Sequence, residues 1–392
     1  MLETPRSNRI HIAIFGRRNV GKSSLLNALS EQAVSIVSDV AGTTTDVVWK
    51  NIELPGIGAA VIGDTAGYDD SGELGAMRVE STKKVLTRID LALLVLHGNP
   101  ADCELEKLWL AMLEKGGVPV VALLGQCDVC NNVAEWRALL NREVIPFSAV
   151  TGEGKGTLLK AISMALHDTA DNDDVTSGLV SAGDVVVLVM PQDAQAPKGR
   201  LIQPQVQTLR NLLDKHAIPL CCAPEELPAL LESLKTTPSL IITDSQVFAQ
   251  VEKLKPEGSR LTSFSVLMAR QKGDIEIFRK GSDALRNLPH NAKILIAEAC
   301  SHIPQNEDIG RVKLPRMLRG KFGEELSITI VSGNDFPTDL FGYDLVIHCG
   351  ACMFTKRHVM ARVRQAVAQN VPITNYGIAI ASLTGIIDKV VY

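Results

Sequence analysis

Short aliphatic runs, each closed by a glycine, an acid or a cysteine, recur along the chain and are separated by segments of helical period. Ile10-His-Ile-Ala-Ile-Phe15, Ala59-Ala-Val-Ile62 and Val118-Pro-Val-Val-Ala-Leu-Leu124 predict buried strands, and Gly156 to His167 predicts an amphipathic helix. Asp168 to Gly178 then loses all apolar period; acidic and built of small residues, it predicts a linker. Beyond it, Val185 to Met190, Pro219 to Cys222 and Leu240 to Thr243 predict strands. They alternate with helical patterns at Gln205 to His216, Pro224 to Lys235 and Gln246 to Leu254. Ser265 to Leu288 predicts a helix broken near Gly273. Strands follow at Lys293 to Ala297, Leu326 to Val331, Asp344 to Ile347 and Pro372 to Tyr376, with a helix from Thr355 to Gln369.

Strand and helix in alternation predict parallel sheets covered by helices, the α/β class. The expected division is a first domain over 1–168, an acidic linker over 169–182, a small α/β domain over 183–265 and a third α/β domain over 266–392. A sheet as small as the second domain's completes its core by pairing across a two-fold axis, so a homodimer is expected.

Composition supports buried aliphatic strands: of 392 residues 46% are hydrophobic but only 4% aromatic. A net charge of -4 gives no global pull toward nucleic acid or anionic membrane, and neither is expected as a partner. No apolar run approaches the ~20 residues of a membrane span and no signal-peptide pattern is present, so a soluble, cytoplasmic protein is expected. The eight cysteines are irregularly spaced, which favours reduced thiols or metal ligands over a disulfide framework.

The first strand runs straight into Gly16-Arg-Arg-Asn-Val-Gly21-Lys22-Ser23, and a helix begins at Ser24. This is a phosphate-binding loop in its strand-loop-helix context. Its glycines allow backbone N–H groups to close round phosphates, Lys22 reaches the β and γ phosphates, and Ser23 supplies a hydroxyl to Mg²⁺; Val20 and Ser24 complete the lining. Gly42-Thr-Thr-Thr-Asp46 offers a second hydroxyl to Mg²⁺, assigned to Thr44. Asp64-Thr-Ala-Gly67 offers a carboxylate to the metal's water shell and the Gly67 N–H to the γ-phosphate.

These stations resemble the motifs of the translation-factor class of GTPases. Asn19 inside the loop and the G-T-T-x-D pattern are similar to the Era-like and tRNA-modification group, which implies a K⁺ ion held by Asn19 against the phosphates. Tyr68 stands where a water-orienting Gln would be, so slow, potassium-stimulated hydrolysis of GTP to GDP and phosphate is expected. The guanine-reading N-K-x-D pattern is replaced by Gly125-Gln126-Cys127-Asp128. Asp128 is still placed to read the base, and Ser148-Ala149 resembles the station whose backbone meets the guanine oxygen. Loss of the amide at 125 predicts weakened discrimination of guanine from adenine. Cys127-Asp-Val-Cys130 spells C-x-x-C but lacks a second ligand pair and is not expected to bind metal.

The C-terminal part carries Cys300-Ser-His302 and His348-Cys349-Gly-Ala-Cys352, both just past apolar strands, where open parallel sheets gather ligands. Zinc would take four closed ligands; an iron-sulfur cubane held by three thiolates would leave one iron open to His302, His348 or solvent. Arg311 to Lys321 is basic and predicts a solvated loop, with attraction of an anionic cargo or partner as the alternative.

A translation-factor-like GTPase, an acidic linker, a small α/β domain and a C-x-H, H-C-x-x-C tail together resemble the HydF family, the maturation GTPases of iron-iron (FeFe) hydrogenases. The resemblance implies a 4Fe-4S cluster on Cys300, Cys349 and Cys352, with His302 and His348 near its open iron. It also implies a scaffold that carries a transient diiron precursor to apo iron-iron hydrogenase and works with radical-SAM maturases. The competing expectation is an Era-like ribosome- or tRNA-assembly GTPase with a structural zinc.

Overall fold

The computed structural model describes residues 9–30, 36–37, 47–65, 85–167, 174–192, 201–299, 308–333 and 335–392. The chain divides into two compact units, Met1–Asp171 and Asn172–Tyr392.

The first unit is built on a seven-stranded sheet. Its strands are β1 (Ile10–Gly16), β2 (Ile36–Val37), β3 (Val48–Leu54), β4 (Gly58–Asp64), β5 (Leu91–Leu96), β6 (Val120–Leu124) and β7 (Val144–Pro146), in the order β2-β3-β4-β1-β5-β6-β7. β3 runs antiparallel to β2 and β4, while the rest of the sheet is parallel. All six residues of β5 are buried, as a strand covered on both faces must be. Helices Lys22–Leu29 and Lys155–His167 pack one face of the sheet through Leu25, Leu29, Leu158 and Ile162. Helices Glu104–Lys115 and Val133–Leu140 pack the other through Trp109, Leu113 and Trp136.

The second unit holds two four-stranded parallel sheets. One has β8 (Val185–Val189), β9 (Ile218–Cys222), β10 (Leu240–Thr243) and β11 (Arg260–Ser263) in the order β11-β10-β8-β9. The other has β12 (Lys293–Ala297), β13 (Ser327–Val331), β14 (Leu345–His348) and β15 (Ile373–Asn375) in the order β13-β12-β14-β15. A shared core joins them, with Val187 and Ile241 of the first sheet and Leu295 and Val346 of the second in one apolar cluster. The helix Phe264–Lys272 lies in this join and ends at Gly273, where a Cβ would come within 2.2 Å of the Phe278 ring.

Two segments differ from expectation. The second half of the expected linker is packed, with Val175, Leu179 and Val180 buried in the core around Leu212 and Ile242. Arg260 holds it by donating to Leu179 O. The basic stretch from Arg311 is not a loop: it forms a helical turn, Ile309–Lys313, that leads into the helix Leu314–Phe322. Leu314, Leu318 and Phe322 recur at helical period and are buried, leaving the charges on the other face.

Candidate nucleotide site and cysteine loop

In the first unit β1 delivers the chain into the phosphate loop, and the helix begins at Lys22 after Gly21, whose φ of 94° lies in the left-handed region that favours glycine. Asn19 also adopts a left-handed turn, φ 60°, and is exposed. Lys22 is buried, and its Nζ donates to Gly16 O at 3.1 Å and Arg17 O at 2.7 Å. Ser23 Oγ donates to Asp64 Oδ2 at 2.6 Å, so the structure joins two stations that lie 41 residues apart. Asp64 Oδ1 is buried without a hydrogen-bond partner among the described residues. A hydroxyl and a carboxylate with a spare buried oxygen form a hard oxygen set that suits Mg²⁺. Thr44 and Gly67 lie outside the described residues.

The phosphate loop has a brace that sequence reading missed. Arg17 Nε and Nη2 fork onto Glu106 at 2.7 and 3.0 Å, and Nη1 donates to Asp102 at 2.6 Å. Glu106 is fully buried in the helix Glu104–Lys115. Hydrogen bonds donated to the two carboxylates hold Arg17 still more firmly protonated, and Arg17 in turn holds Asp102 below the usual carboxylate range.

At the base end a cavity of about 250 Å³ is lined by Val20, Gly21, Ser24, Gln126, Asp128 and Ala149 among others. Two expected base-reading residues therefore share one cavity with the phosphate loop. Backbone bonds from Phe147 N to Leu124 O, 3.0 Å, and from Cys127 N to Phe147 O, 3.2 Å, tie its walls together. Ser148 is buried, and its Oγ accepts the N–H groups of Val150 and Thr151. A Cβ on Gly125 would meet Val20 O at 2.4 Å, so the phosphate loop occupies the space that a side chain at 125 would need. Gln126, at φ 57°, reaches back with Nε2 to Asn19 O at 3.5 Å, a long contact. Cys127 and Cys130 are free thiols; burial pushes Cys127 up, and Cys130 Sγ donates to Gly98 O.

In the second unit β12 and β14 are neighbours and end in register, with Ala297 opposite His348. The Cys349 N–H donates to Ala297 O at 2.9 Å, and Cys349 Sγ accepts the N–H groups of Ala299 at 3.0 Å and Ala351 at 3.4 Å. Ala351 takes a left-handed φ of 53°, and its N–H is one of the two that face the sulfur. Cys300 and His302 lie outside the described residues, and no group of three metal-binding side chains gathers among the described residues.

His348 is fully buried. Arg362 Nη1 donates to its Nε2 at 3.1 Å, which leaves Nδ1 to carry the proton and donate to Cys349 O at 2.9 Å. Arg362 lies between the rings of Phe336 and Phe354, at 4.7 and 4.6 Å. Burial, then the Arg362 charge, push His348 down to about 3, so it stays neutral. Both ring nitrogens are thus engaged, Nδ1 by the Cys349 carbonyl and Nε2 by Arg362. Of the basic stretch, Arg311 pairs with Glu298 at 3.0 Å and Lys313 bonds Gln246.

Lys272 was also not foreseen. It is buried at the end of its helix, and its Nζ donates to Ala351 O at 3.1 Å, Cys352 O at 3.3 Å and Phe354 O at 2.9 Å. Burial pushes its ammonium down to about 8, while the Cys352 and Cys349 thiols pull it up. Burial pushes the Cys352 thiol up, opposed by Lys272.

The phosphate loop, the joined Ser23 and Asp64, and the base cavity define the first unit as a P-loop GTPase. It matches the family described as "50S ribosome-binding GTPase" over residues 11–124. The second unit matches "Hydrogen maturase F dimerization domain" over 175–273 and "Hydrogen maturase F tetramerization domain" over 276–392, together more than half of the chain. The chain belongs to the hydrogen maturase F (HydF) family.

Among curated relatives, the tRNA modification GTPase MnmE of Latilactobacillus sakei is 34% identical over 187 residues, covering 46% of this chain and 40% of that protein. The Myxococcus xanthus MnmE is 37% identical over 148 residues, covering 38% and 31%. The chain thus spans less than half the length of these relatives, and the likeness does not favour a tRNA-assembly role. Among solved structures, the G domain of the T. maritima FeoB iron transporter aligns with 25% identity and a TM-score of 0.33, over 40% of this chain and 99% of that one. Aquifex aeolicus Era aligns with 21% identity and a TM-score of 0.33, over 54% and 92%. No helix among the described residues is long and apolar enough to cross a membrane.

Proposed function

We propose that this GTPase of hydrogenase maturation is a scaffold and carrier whose Cys300, Cys349 and Cys352 hold a 4Fe-4S cluster and which passes a diiron precursor to apo iron-iron hydrogenase. The observation that carries the reading is the 3.0 Å bond from Ala299 N to Cys349 Sγ, because it ties the residue preceding Cys300 directly to the first thiol of the H-C-x-x-C turn. Soft sulfur donors at the ends of two neighbouring parallel strands suit an iron-sulfur cluster. When bound, the cluster would supply an iron at which anionic cargo docks; the chain's own part is to present the thiols and hold the turn. Radical-SAM maturases fit as suppliers of the cargo, and the dimerisation and tetramerisation domains fit an oligomer.

At the nucleotide end, Lys22 exchanges its loop carbonyls for phosphate oxygens, and Ser23 and Asp64 hold Mg²⁺. Thr44 and Gly67 close on the γ-phosphate, and Asn19 holds K⁺. Asp128, Ser148 and Ala149 receive the base. Hydrolysis is slow and faster in potassium than in sodium buffer; equal rates would remove the potassium assignment.

Anaerobic purification followed by iron, sulfide and zinc analysis tests the scaffold. Iron and sulfide in equal amounts, lost in Cys349→Ala, are expected; stoichiometric zinc without sulfide would overturn the reading. Lys22→Ala should abolish hydrolysis and leave the iron content in place.

A further inference from the structure

Lys272 sits in a place where lysine is costly. It closes the helix Phe264–Lys272, yet it is only 5% exposed. All three N–H donors of its ammonium are used by carbonyls of one short segment, Ala351, Cys352 and Phe354. Among the described residues no carboxylate bonds it; its acceptors are backbone carbonyls of the turn that carries Cys352. A buried ammonium with no anion is strongly unfavourable, whereas the same charge behind an anionic centre is favourable.

Resting on the cluster reading above, we propose that Lys272 is a positioning residue for the iron-sulfur site: it locks the Ala351–Phe354 turn that presents Cys352 beside Cys349, and its ammonium lies behind the anionic, three-thiolate cluster. The carbonyl of Cys349 is fastened separately by His348 Nδ1 and by Asn375 Nδ2 at 3.1 Å. The loop's backbone is therefore pinned from two sides. A nearby positive charge stabilises the more reduced, more negative cluster and raises its reduction potential.

The test compares full-length wild type, Lys272→Gln and Lys272→Met after anaerobic reconstitution, reading iron and sulfide per chain, the cluster's midpoint potential and the far-ultraviolet circular dichroism. Gln retains two N–H donors without the charge, so it should hold a cluster whose midpoint is more negative than wild type. Met removes donors and charge together and should lower iron and sulfide several-fold with an unchanged dichroism spectrum; if Met unfolds, the Gln midpoint decides. Wild-type loading and potential in Lys272→Gln would overturn the proposal while the cluster reading stands. A wild-type chain without sulfide would overturn the cluster reading itself.

Discussion

At the scale of single residues, Gly125 shows how a departure from a motif is read differently once space is known. In sequence it is the loss of a base-contacting amide. In the structure a Cβ there would lie 2.4 Å from Val20 O, closer than any relaxed contact, so the phosphate loop has moved into the place of the side chain. Restoring the motif by Gly125→Asn should therefore fail to sharpen guanine selection. It should push the Val20 peptide outward at a cost of about 1–3 kcal/mol. That corresponds to roughly a 5- to 150-fold loss in GTP affinity if the strain is relieved in the free protein and reimposed on binding. Titration of GTP and ATP against wild type and variant checks it; a variant that binds GTP more tightly would show that the glycine is a simple deletion of function.

At the scale of elements, the helix Glu104–Lys115 does more than cover the sheet. Its buried Glu106 takes a two-pronged bond from Arg17, and so the helix braces the loop that carries Lys22. Glu106→Gln keeps the shape but leaves the guanidinium short of its charge. Breaking a fully buried pair costs about 3–5 kcal/mol, and with Arg17 partly open to solvent about 2 kcal/mol is expected. Thermal unfolding and GTP titration should both fall; an unchanged GTP affinity would mean that the brace does not set the loop. Asp102→Asn, on the exposed prong, should be far milder.

This brace also marks the limit of sequence reading. Strands such as β6 and β8 were legible because each is an uninterrupted aliphatic run, and so was the phosphate loop, whose spacing within one segment carries the signal. β5 had no counterpart among the expected strands, although Leu91–Leu96 is wholly aliphatic. The helix Leu314–Phe322 was hidden by its charges, although Leu314, Leu318 and Phe322 keep the period of four. Arg17 and Lys272 were illegible for a physical reason. Their partners lie 85 to 89 and 79 to 82 residues away, and those of Lys272 are backbone carbonyls, which leave no trace in residue type.

At the scale of the whole molecule the question is where one folding unit stops and the next begins, and residues 174–180 decide it. An acidic, aperiodic segment is ordinarily dispensable, yet here Val175, Leu179 and Val180 are at most 7% exposed and Thr176 is fully buried. Thr176 N and Oγ1 both donate to Asn211 Oδ1, and Lys215 pairs with Asp174 at 2.9 Å. Burial of each aliphatic side chain contributes about 1.5–3 kcal/mol, so the three together are comparable with the ~5–15 kcal/mol net stability of a domain. A chain cut to begin at Asn172 should thus unfold cooperatively with the stability of that unit in the full protein. One cut to begin at Asp184 should lose several kcal/mol and expose the Leu212 and Ile242 face of its first sheet. Urea unfolding of the two truncations measures the difference directly. Equal midpoints would mean that the segment is a linker after all, and that the boundary of the second unit lies at the start of β8.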